Sequence, residues 1–321
     1  MSDAPVAPDE DAEVEVTVPP LLDGVRVDRA ISMLTGCTRA VSGALVVAGA
    51  VRVDGTVVRK GAQLLEAGQR LQATIGVDED VELAPEPEVE VTVVAEDASF
   101  LIVDKPAGLV VHPGAGHHSG TLVAGLLARF PELAALGDLP GAAPHRPGIV
   151  QRLDKGTSGL LVVARTEAAY ASLSAQLQAR TVERRYLGLV EGDVTDERGV
   201  IDAPIGRSQR TPTKMAVRTG GRPARTAYEV RTRFASPART LLELQLESGR
   251  THQIRVHLAA IGRPIVNDPR YGQHRAPALA EGRVFLHAHV LGFEHPDTHE
   301  PVRVTSPLPE DLQSLLDTLS G

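Results

Sequence analysis

The sequence predicts an α+β fold, with a mixed, largely antiparallel sheet and flanking helices in a large unit that follows a small α+β unit. Strand-like segments outnumber helical ones, and they do not alternate with helices as a doubly wound parallel sheet requires. An acidic stretch with two prolines separates a short N-terminal part from a long remainder, as a linker does. We therefore expect a tail over 1–20, a small domain over 21–80, a linker over 81–89 and a large domain over 90–316.

The small domain begins with two helical segments. Val27, Ala30, Ile31 and Leu34 recur at helical spacing, and a second helical stretch follows Gly36. The dipeptide Asp54-Gly55 lies between two short runs of β-branched residues, which predicts a β-hairpin because this pair tolerates the positive φ angles of a tight turn. A further strand is expected over 71–75.

The large domain contains short apolar or alternating runs that predict strands. These runs are 90–94, 100–104, 160–164, 185–191 and 242–246. Thr166 is a suitable N-cap for a helix over 167–180. A second helix is expected over 251–261, closed by Gly262, with Ile254, Leu258 and Ile261 facing the core.

Composition restricts the classes of protein. The 321 residues suffice for about two domains, and 42% hydrophobic with 23% charged residues is ordinary for a globular protein. A single cysteine, Cys37, excludes an internal disulfide and favours a reducing compartment. The first residues lack the basic and apolar regions of a secretory signal, and the apolar runs are too short for a membrane span. We expect a cytoplasmic protein without a membrane partner.

Charge is unevenly distributed along the chain, although the net charge is −8. The first fifteen residues carry six acidic and no basic side chains, which predicts a disordered acidic tail. The stretch 203–228 carries no acid and six basic residues, namely Arg207, Arg210, Lys214, Arg218, Arg222 and Arg225. Two interpretations of it remain open at this point: a phosphate-binding surface or an ordinary solvated loop.

Asp154 lies in the loop sequence RLDKGTSG, directly before an apolar strand. Such a loop can hold a carboxylate at a cleft, and the neighbouring Arg152 and Lys155 would keep it ionised as a nucleophile or base. The alternative is that Asp154 only satisfies backbone N–H groups in a turn.

Two further segments carry candidate site residues. In GRTHQIRVH, Arg250 precedes the expected helix, while Thr251 and Arg255 would lie on one face of it, so an anion such as phosphate or Asp154 is the expected partner. In RRYLGLVE, Tyr186 begins an apolar strand after a basic pair. Either segment could also be ordinary surface or core structure.

Several sites are absent from the sequence. It contains no GxxxxGK[ST] loop, no dinucleotide-binding glycine spacing and no paired CxxC. His287 and His289 alternate on an expected strand, but no third metal ligand is evident. The DKGTS string resembles the loop of aspartyl-phosphate enzymes with a different residue order, and no magnesium-binding carboxylate follows it.

Taken together, five segments resemble the RluA/RluD family of pseudouridine synthases, and the match is most similar to the RluD branch. In chain order they are DKPAGLVVHP from Asp104, RLDKGTSGLLVVA from Arg152, the Tyr186 strand, GRTHQIRVH from Gly249 and RPIVNDPRYG from Arg263. The region 21–80 resembles the small alpha-L RNA-binding domain of ribosomal protein S-four type.

The resemblance implies an RNA isomerase with the pseudouridine synthase fold that acts as a monomer on large-subunit ribosomal RNA. It implies no cofactor and no metal, since the isomerisation is redox-neutral. Asp154 would be the nucleophile, Tyr186 would pack on the base, and Arg255 would pair with Asp154. Arg152 would fill the gap left by the flipped-out base. Further RNA contacts are expected from Arg250, Arg207, Arg210 and Lys214.

Two departures from the family pattern bear on these expectations. Gln151 stands where the family usually has histidine, and activity should survive this difference. The small domain has few basic residues, so more of the RNA binding would fall to the 207–225 segment. Two alternatives stay open: a non-catalytic RNA-binding or ribosome-assembly factor on the same fold, and a hydrolase that uses Asp154 as an acceptor.

Overall fold

The computed structural model describes residues 13–35, 39–74, 83–113, 119–138, 146–208, 211, 214–272 and 278–320. Over these residues, no helix is both long and apolar enough to cross a bilayer. One hydrophobic cluster is formed entirely by residues between Val16 and Ala73, and the large clusters are formed by residues beyond 90. The chain therefore has separate N-terminal and C-terminal cores.

The N-terminal core lies between a four-stranded sheet and two helices. The strands are β1 (Glu13–Thr17), β2 (Val51–Val53), β3 (Thr56–Val57) and β4 (Arg70–Thr74), in the order β1-β4-β2-β3, and the helices are α1 (Val27–Thr35) and α2 (Arg39–Val47). The four apolar residues that predict α1 are all buried. Asp54 and Gly55 have φ angles of 50° and 78°, so the predicted hairpin turn is confirmed.

The structure differs from the predicted acidic tail over its last residues. Residues 13–17 form β1, which pairs antiparallel with β4 in the register Glu15↔Gln72 and Val16↔Leu71. Val16 and Val18 are buried in the N-terminal core, while Glu15 points to solvent. The disordered tail over 1–20 is therefore wrong for 13–20, because acidic and β-branched residues alternate there as on a half-buried strand. Residues 1–12 lie outside the described part.

The C-terminal part contains a nine-stranded mixed sheet. Its path is β5-β6-β7-β14-β8-β13-β12-β9, with β15 also paired to β14, and all pairs are antiparallel except β7–β14. The strands are β5 (Thr92–Glu96), β6 (Phe100–Lys105), β7 (Ser158–Ala164), β8 (Glu183–Glu191), β9 (Arg198–Asp202), β12 (Arg225–Ala235), β13 (Ala238–Leu246), β14 (Leu286–Glu294) and β15 (Pro301–Thr305). The predicted α+β class with a largely antiparallel sheet is confirmed.

Among the described residues of the C-terminal part, four α-helices and a separate two-stranded ribbon accompany this sheet. The helices are α3 (Leu122–Arg129), α4 (Glu167–Ala179), α5 (Gln253–Ala260) and α6 (Glu310–Ser320), and the ribbon pairs β10 (Ile205–Arg207) with β11 (Met215–Val217). Thr166 caps α4 as predicted, since its hydroxyl accepts a hydrogen bond from the N–H of Ala169 at 3.1 Å. Arg180 takes the left-handed conformation and ends this helix.

The helix predicted over 251–261 begins two residues later. His252 has φ 55°, in the left-handed region, so the turn before α5 is distinct from the helix, and Thr251 does not share a helix face with Arg255. The side chain of Gln253 fixes this turn, because its Oε1 accepts hydrogen bonds from the Ser248 hydroxyl and the Arg250 N–H. Ile261 is 42% exposed, so its predicted core position is also wrong, whereas Ile254 and Leu258 are buried.

Gly159 fixes the central strand that carries the candidate site. Its φ is 116°, and a Cβ built on it would lie 2.3 Å from the carbonyl oxygen of Ala288 on β14. Only glycine therefore allows β7 to approach β14 this closely. The loop 152–157 enters β7 at this point, so the backbone contact sets where Asp154 lies.

Candidate active site

Asp154 lies in the loop before β7, with its side chain 21% exposed. Its carbonyl oxygen accepts a hydrogen bond from the N–H of Thr157 at 3.0 Å, which closes the turn. Its Oδ2 accepts a hydrogen bond from Nη1 of Arg255 at 2.8 Å. The alternative that Asp154 serves only its own turn is therefore incomplete, since the carboxylate reaches a group 101 residues away.

Arg255 joins two carboxylates through one guanidinium. Besides Asp154, it donates to Asp268 through Nε at 2.7 Å and through Nη2 at 2.9 Å. The Asp268 side chain is fully buried and also accepts from the N–H groups of Arg270 and Tyr271. Because the fork geometry of guanidinium fixes both carboxylates, Asp268 orients Arg255 and Arg255 orients Asp154.

The electrostatic surroundings keep Asp154 ionised. Burial alone would raise the pKa of its carboxyl, but the charges of His252, Arg255 and Arg152 and the hydrogen bond from Arg255 outweigh burial and hold the pKa below its ordinary value. Burial also lowers the pKa of His252, so the two arginines supply the positive charge at neutral pH. The carboxylate is therefore available to act as a nucleophile or base.

Tyr186 is buried on β8, between Leu244 on β13 and Ala288 on β14. Burial raises the pKa of its phenol; Asp154 raises it further, while the charge of Arg184 lowers it. The phenol therefore keeps its proton at neutral pH, and the charge of Asp154 is among the charges that act on it.

Arg152 connects the loop of Asp154 with the turn before α5. Its Nη2 donates to the Thr251 hydroxyl at 2.8 Å, and its charge contributes to the low pKa of Asp154. The side chain is half-buried, as is that of Gln151. Arg152 therefore lies at the same site as Asp154 and Arg255.

The expected RNA-contacting residues are placed less centrally. Arg250 donates through Nε to the Pro223 carbonyl at 3.3 Å, and Lys214 donates through Nζ to the carbonyl of Arg270. Arg207 donates to the Leu34 carbonyl in α1 at 3.1 Å. Arg210 lies outside the described residues. Lys214 is thus close to the segment of Asp268, whereas Arg207 lies beside the N-terminal part.

Sequence reasoning assigned no role to Asp268, Tyr271 or His252. The Tyr271 hydroxyl is 2.8 Å from Nδ1 of His252 and accepts from the N–H of Met215 at 3.1 Å, and the Arg255 guanidinium lies 5.3 Å from the Tyr271 ring centre. These contacts extend the network around Arg255. The available signal was the segment Arg263–Gly272, which is one of the five segments that resemble the family and contains both Asp268 and Tyr271.

Lys105 is a second residue that sequence reasoning left without a role. It ends β6 and is completely buried, with Nζ donating to the carbonyls of Pro106 at 2.8 Å, Leu109 at 2.9 Å and Lys155 at 3.5 Å. Burial lowers the pKa of this amine to about 7, against the raising effect of Asp154. Lys105 therefore ties the turn after β6 to the loop of Asp154.

The histidine pair on β14 does not form a metal centre with other described residues. His287 Nδ1 lies 2.9 Å from the Ser158 hydroxyl, and His289 Nε2 lies 3.5 Å from a carboxylate oxygen of Glu243. Across the described part of the chain, no group of three or more His, Cys, Asp or Glu is arranged to hold a metal ion.

Comparison with known proteins gives one family. The family model for RNA pseudouridylate synthase matches residues 99–260, which include Asp154, Tyr186 and Arg255. Ribosomal large subunit pseudouridine synthase D of Xanthomonas campestris pv. campestris is 43% identical, over 99% of this chain and 96% of the relative. An uncharacterized RNA pseudouridine synthase of Chloroflexus aurantiacus is 47% identical, over 97% and 95% of the two chains.

A solved structure supports the same assignment. The human RNA pseudouridylate synthase domain containing 1 superposes with a TM-score of 0.53 and 26% identity, over 74% of this chain and 97% of that chain. Family, fold and near full-length relatives agree, and Asp154, Tyr186 and Arg255 lie inside the region that the family model matches. The chain therefore belongs to the RNA pseudouridylate synthase family, and it is an isomerase that converts uridine in RNA to pseudouridine.

Proposed function

We propose that the enzyme modifies selected uridines of large-subunit ribosomal RNA and that Asp154 is its nucleophile. The network Asp154–Arg255–Asp268 carries this proposal, because it supplies an ionised, oriented carboxylate at a partly open position. The rRNA substrate is supported by relatives named ribosomal large subunit pseudouridine synthase D, among them a Pseudomonas aeruginosa protein that is 46% identical over 86% of this chain. A monomer in the cytoplasm is part of the same proposal.

Asp154 can bring one oxygen to the substrate. Arg255 binds Oδ2, and within the described part no hydrogen bond occupies Oδ1. The uridine must be flipped out, because its glycosidic bond is inaccessible in a stacked base. The ribose of the flipped-out uridine then lies next to this oxygen. Loops of RNA make the extrusion less costly, since their bases are already unpaired.

Two routes are consistent with this carboxylate. In the first, Asp154 bonds to C1′ of the ribose while the N1–C1′ bond breaks and its electron pair leaves with uracil. In the second, Asp154 takes the proton from C2′, and a C1′–C2′ double bond forms as uracil leaves. In both routes uracil rotates and C5 bonds to C1′. In the first route the bond between Asp154 and C1′ breaks in this step, and in the second Asp154 returns its proton to C2′ as the C1′–C2′ double bond is lost. N1 then gains a proton and C5 loses one.

Tyr186 and Arg152 handle the base in this proposal. Tyr186 packs against uracil. Because its phenol keeps its proton at neutral pH, it can accept the C5 proton only while it donates its own proton to another group. Arg152 lies half-buried beside Thr251 at the site, where it can enter the space that the extruded base leaves.

RNA outside the site would be bound by two regions. One comprises Arg250, Arg207, Arg210 and Lys214, whose charges suit phosphates. The other is the small N-terminal domain, for which we propose the alpha-L type of RNA binding, with the domain division 21–80 and 90–316 given above. The two separate hydrophobic cores support this division.

The test is tritium release from large-subunit rRNA labelled at C5 of uracil. Wild type should release tritium, whereas Asp154→Asn, which keeps the shape and loses the charge, should release none while binding RNA with unchanged affinity. Asp317→Asn, on the exposed side of α6, is the matched control and should behave as wild type. Release by Asp154→Asn near the wild-type rate would exclude the nucleophile, and release from tRNA alone would exclude the rRNA substrate.

A further inference from the structure

Arg184, the second residue of β8, is a buried cation without an anionic partner. It is 8% exposed, its Nε has no hydrogen-bond partner, and no described carboxylate lies within ion-pair distance of it. The other buried arginines of the described chain each meet a carboxylate: Arg239 meets Glu191, Arg255 meets Asp154 and Asp268, and Arg283 meets Asp311. An unpaired buried charge is strongly destabilising, so its retention calls for a partner that arrives from outside.

The position of Arg184 directs it to the active site. Residues two apart on a strand share a face and lie about 7 Å apart, so Arg184 and Tyr186 lie side by side on β8. The charge of Arg184 lowers the pKa of Tyr186, as expected for neighbours. Arg185 points to the opposite face, where it forms ion pairs with Glu183 and Glu243.

The far end of the Arg184 side chain lies beside an exposed glycine. A Cβ built on Gly249 would lie 3.0 Å from Nη1 of Arg184 and would meet no other atom within 4 Å. Gly249 is exposed and directly precedes Arg250, in the loop that leads to α5 and Arg255. The guanidinium therefore lies beside this exposed loop, on the same face of β8 as Tyr186.

We propose that Arg184 is a further catalytic residue, which binds the uracil carbonyls of the flipped-out uridine and stabilises the uracil anion when the N1–C1′ bond breaks. This rests on the proposed packing of uracil against Tyr186. Both routes given above leave the electron pair of the broken bond on uracil, where the charge spreads over N1 and the two carbonyl oxygens. A fixed cation in a site of low dielectric stabilises such a charge strongly and needs no reorganisation.

The alternative partner, an RNA phosphate, fits the position less well. A phosphate is heavily hydrated, and a site that is 8% exposed would have to remove most of that water. Exposed basic side chains such as Arg270 can bind phosphates that keep most of their hydration water. A planar, neutral uracil can enter the site first and acquire its charge only there, beside Arg184.

Removal of the Arg184 charge should stabilise the folded protein. Arg184→Met removes an unpaired charge from the core and keeps most of the side-chain volume, so the melting temperature should rise. The catalytic rate should fall at the same time, as expected where function retains a destabilising group. A lower melting temperature for Arg184→Met would overturn the inference, because it would show that the charge is satisfied within the protein.

Single-turnover tritium release separates binding from chemistry. Arg184→Met should slow the reaction about 100-fold, the usual effect of losing one stabilising donor, with the dissociation constant for RNA within about twofold of wild type. Arg184→Lys should recover part of the rate. Arg185→Met, on the opposite face of the strand, is the matched control and should keep the wild-type rate. Weaker RNA binding by Arg184→Met with an unchanged single-turnover rate would overturn the inference in favour of a phosphate contact.

The decisive measurement varies the leaving group. RNA carrying 5-fluorouridine has a base whose anion is stabilised by fluorine, so its conversion, followed by chromatography of nuclease digests, should be slowed less by Arg184→Met than that of uridine. Equal defects on both substrates would overturn charge stabilisation by Arg184. Asp154→Asn is run in parallel: if it is active while Arg184→Met is slow, the nucleophile assignment fails and the role of Arg184 stands.

Discussion

At the scale of single residues, the site depends on one cation shared by two carboxylates. Asp268 is fully buried and takes two of the guanidinium hydrogen bonds, whereas Asp154 takes one and stays partly open. The buried carboxylate thus fixes Arg255, and the open one is left oriented and charged for chemistry. Such a division of roles between two carboxylates depends on their surroundings, since their side chains are identical.

Arg255→Met should shift the pH dependence of the reaction. The pKa of Asp154 lies below its ordinary value, so wild-type activity is lost only as pH falls through that low pKa. Removal of the guanidinium raises the pKa, and the acid limb of the rate profile should therefore move to higher pH. The free energy of unfolding should also fall by about 3–5 kcal/mol, because Asp268 is left buried and unpaired. Single-turnover rates against pH measure the shift, and Arg255→Lys is the control that keeps the charge. An acid limb that does not move would contradict the ion pair.

Lys105 should make the free energy of unfolding depend on pH above neutrality, whereas the effect of Arg255 lies on the acid side. Burial lowers its pKa from 10.5 to about 7 in the native state. Between these values the unfolded chain binds a proton that the native chain does not, so the native state gains stability as pH rises, by up to about 1.4 kcal/mol per pH unit. The free energy of unfolding of wild type minus that of Lys105→Met should therefore increase from pH 7 to pH 9.5 in denaturant titrations. Lys155→Met, at an exposed neighbour, should show no such trend; a flat difference for Lys105→Met would show that the amine stays protonated.

At the scale of secondary structure, local sequence patterns predicted an element correctly where the segment determines its own conformation. The apolar spacing of α1, the Asp54-Gly55 turn and the Thr166 cap each depend on a few neighbouring residues, and the structure confirms all three. The start of α5 was misplaced because Gln253 binds Ser248 and the Arg250 N–H, which converts the preceding residues into a separate turn. Strand β1 was missed because its stability comes from β4, more than fifty residues away.

In the candidate site, too, local sequence patterns identified only some of the residues. Asp154, Tyr186 and Arg255 stood out because each lies in a distinctive local string, and the structure brings Asp154 and Arg255 within 2.8 Å. Asp268 did not stand out, since its role exists only through its contact with Arg255. Buried partners of this kind carry no local signal beyond their place in a family segment.

Gly159→Ala should disrupt the strand that positions Asp154. The new Cβ would lie 2.3 Å from the Ala288 carbonyl oxygen and 2.6 Å from its nitrogen, so β7 and β14 must separate. We expect a loss of more than about 4 kcal/mol in the free energy of unfolding, or insoluble protein. Gly262→Ala, also at positive φ but with open space around it, isolates the backbone strain and should cost about 1–2 kcal/mol. Equal losses in the two variants would show that strain alone, not the close approach of two strands, requires glycine at 159.

At the scale of the whole molecule, the basic stretch contacts both of the separately packed parts. The N-terminal part has its own hydrophobic cluster, and Arg207 of the basic stretch donates to the Leu34 carbonyl in α1. The basic stretch also reaches the site, since Lys214 contacts the carbonyl of Arg270, two residues after Asp268. RNA bound along this stretch would therefore contact the N-terminal part and the active site together.

Deletion of residues 1–80 should separate affinity from chemistry. The C-terminal part retains its own core and all described groups around Asp154, so it should still release tritium from a short stem-loop. Its affinity for long rRNA should fall, because the contacts of the small domain are lost. Filter binding and single-turnover release on the same RNAs measure the two effects. Loss of all release from the stem-loop by a folded fragment would show that the N-terminal part contributes to the active site.

The salt dependence of the binding constant should show how much of the RNA binding comes from the basic stretch. Each phosphate contact releases counterions, so the logarithm of the binding constant should fall linearly with the logarithm of salt concentration, despite the net charge of −8. Lys214→Ala should reduce that slope by about 1 and weaken binding about equally for different RNA sequences. Arg198→Ala, at an exposed position on β9 paired with Glu229, is the matched control and should leave the slope unchanged. If Lys214→Ala and Arg198→Ala have equal slopes, the basic stretch is a solvated loop, and RNA affinity must come from the N-terminal part and the groups around the site.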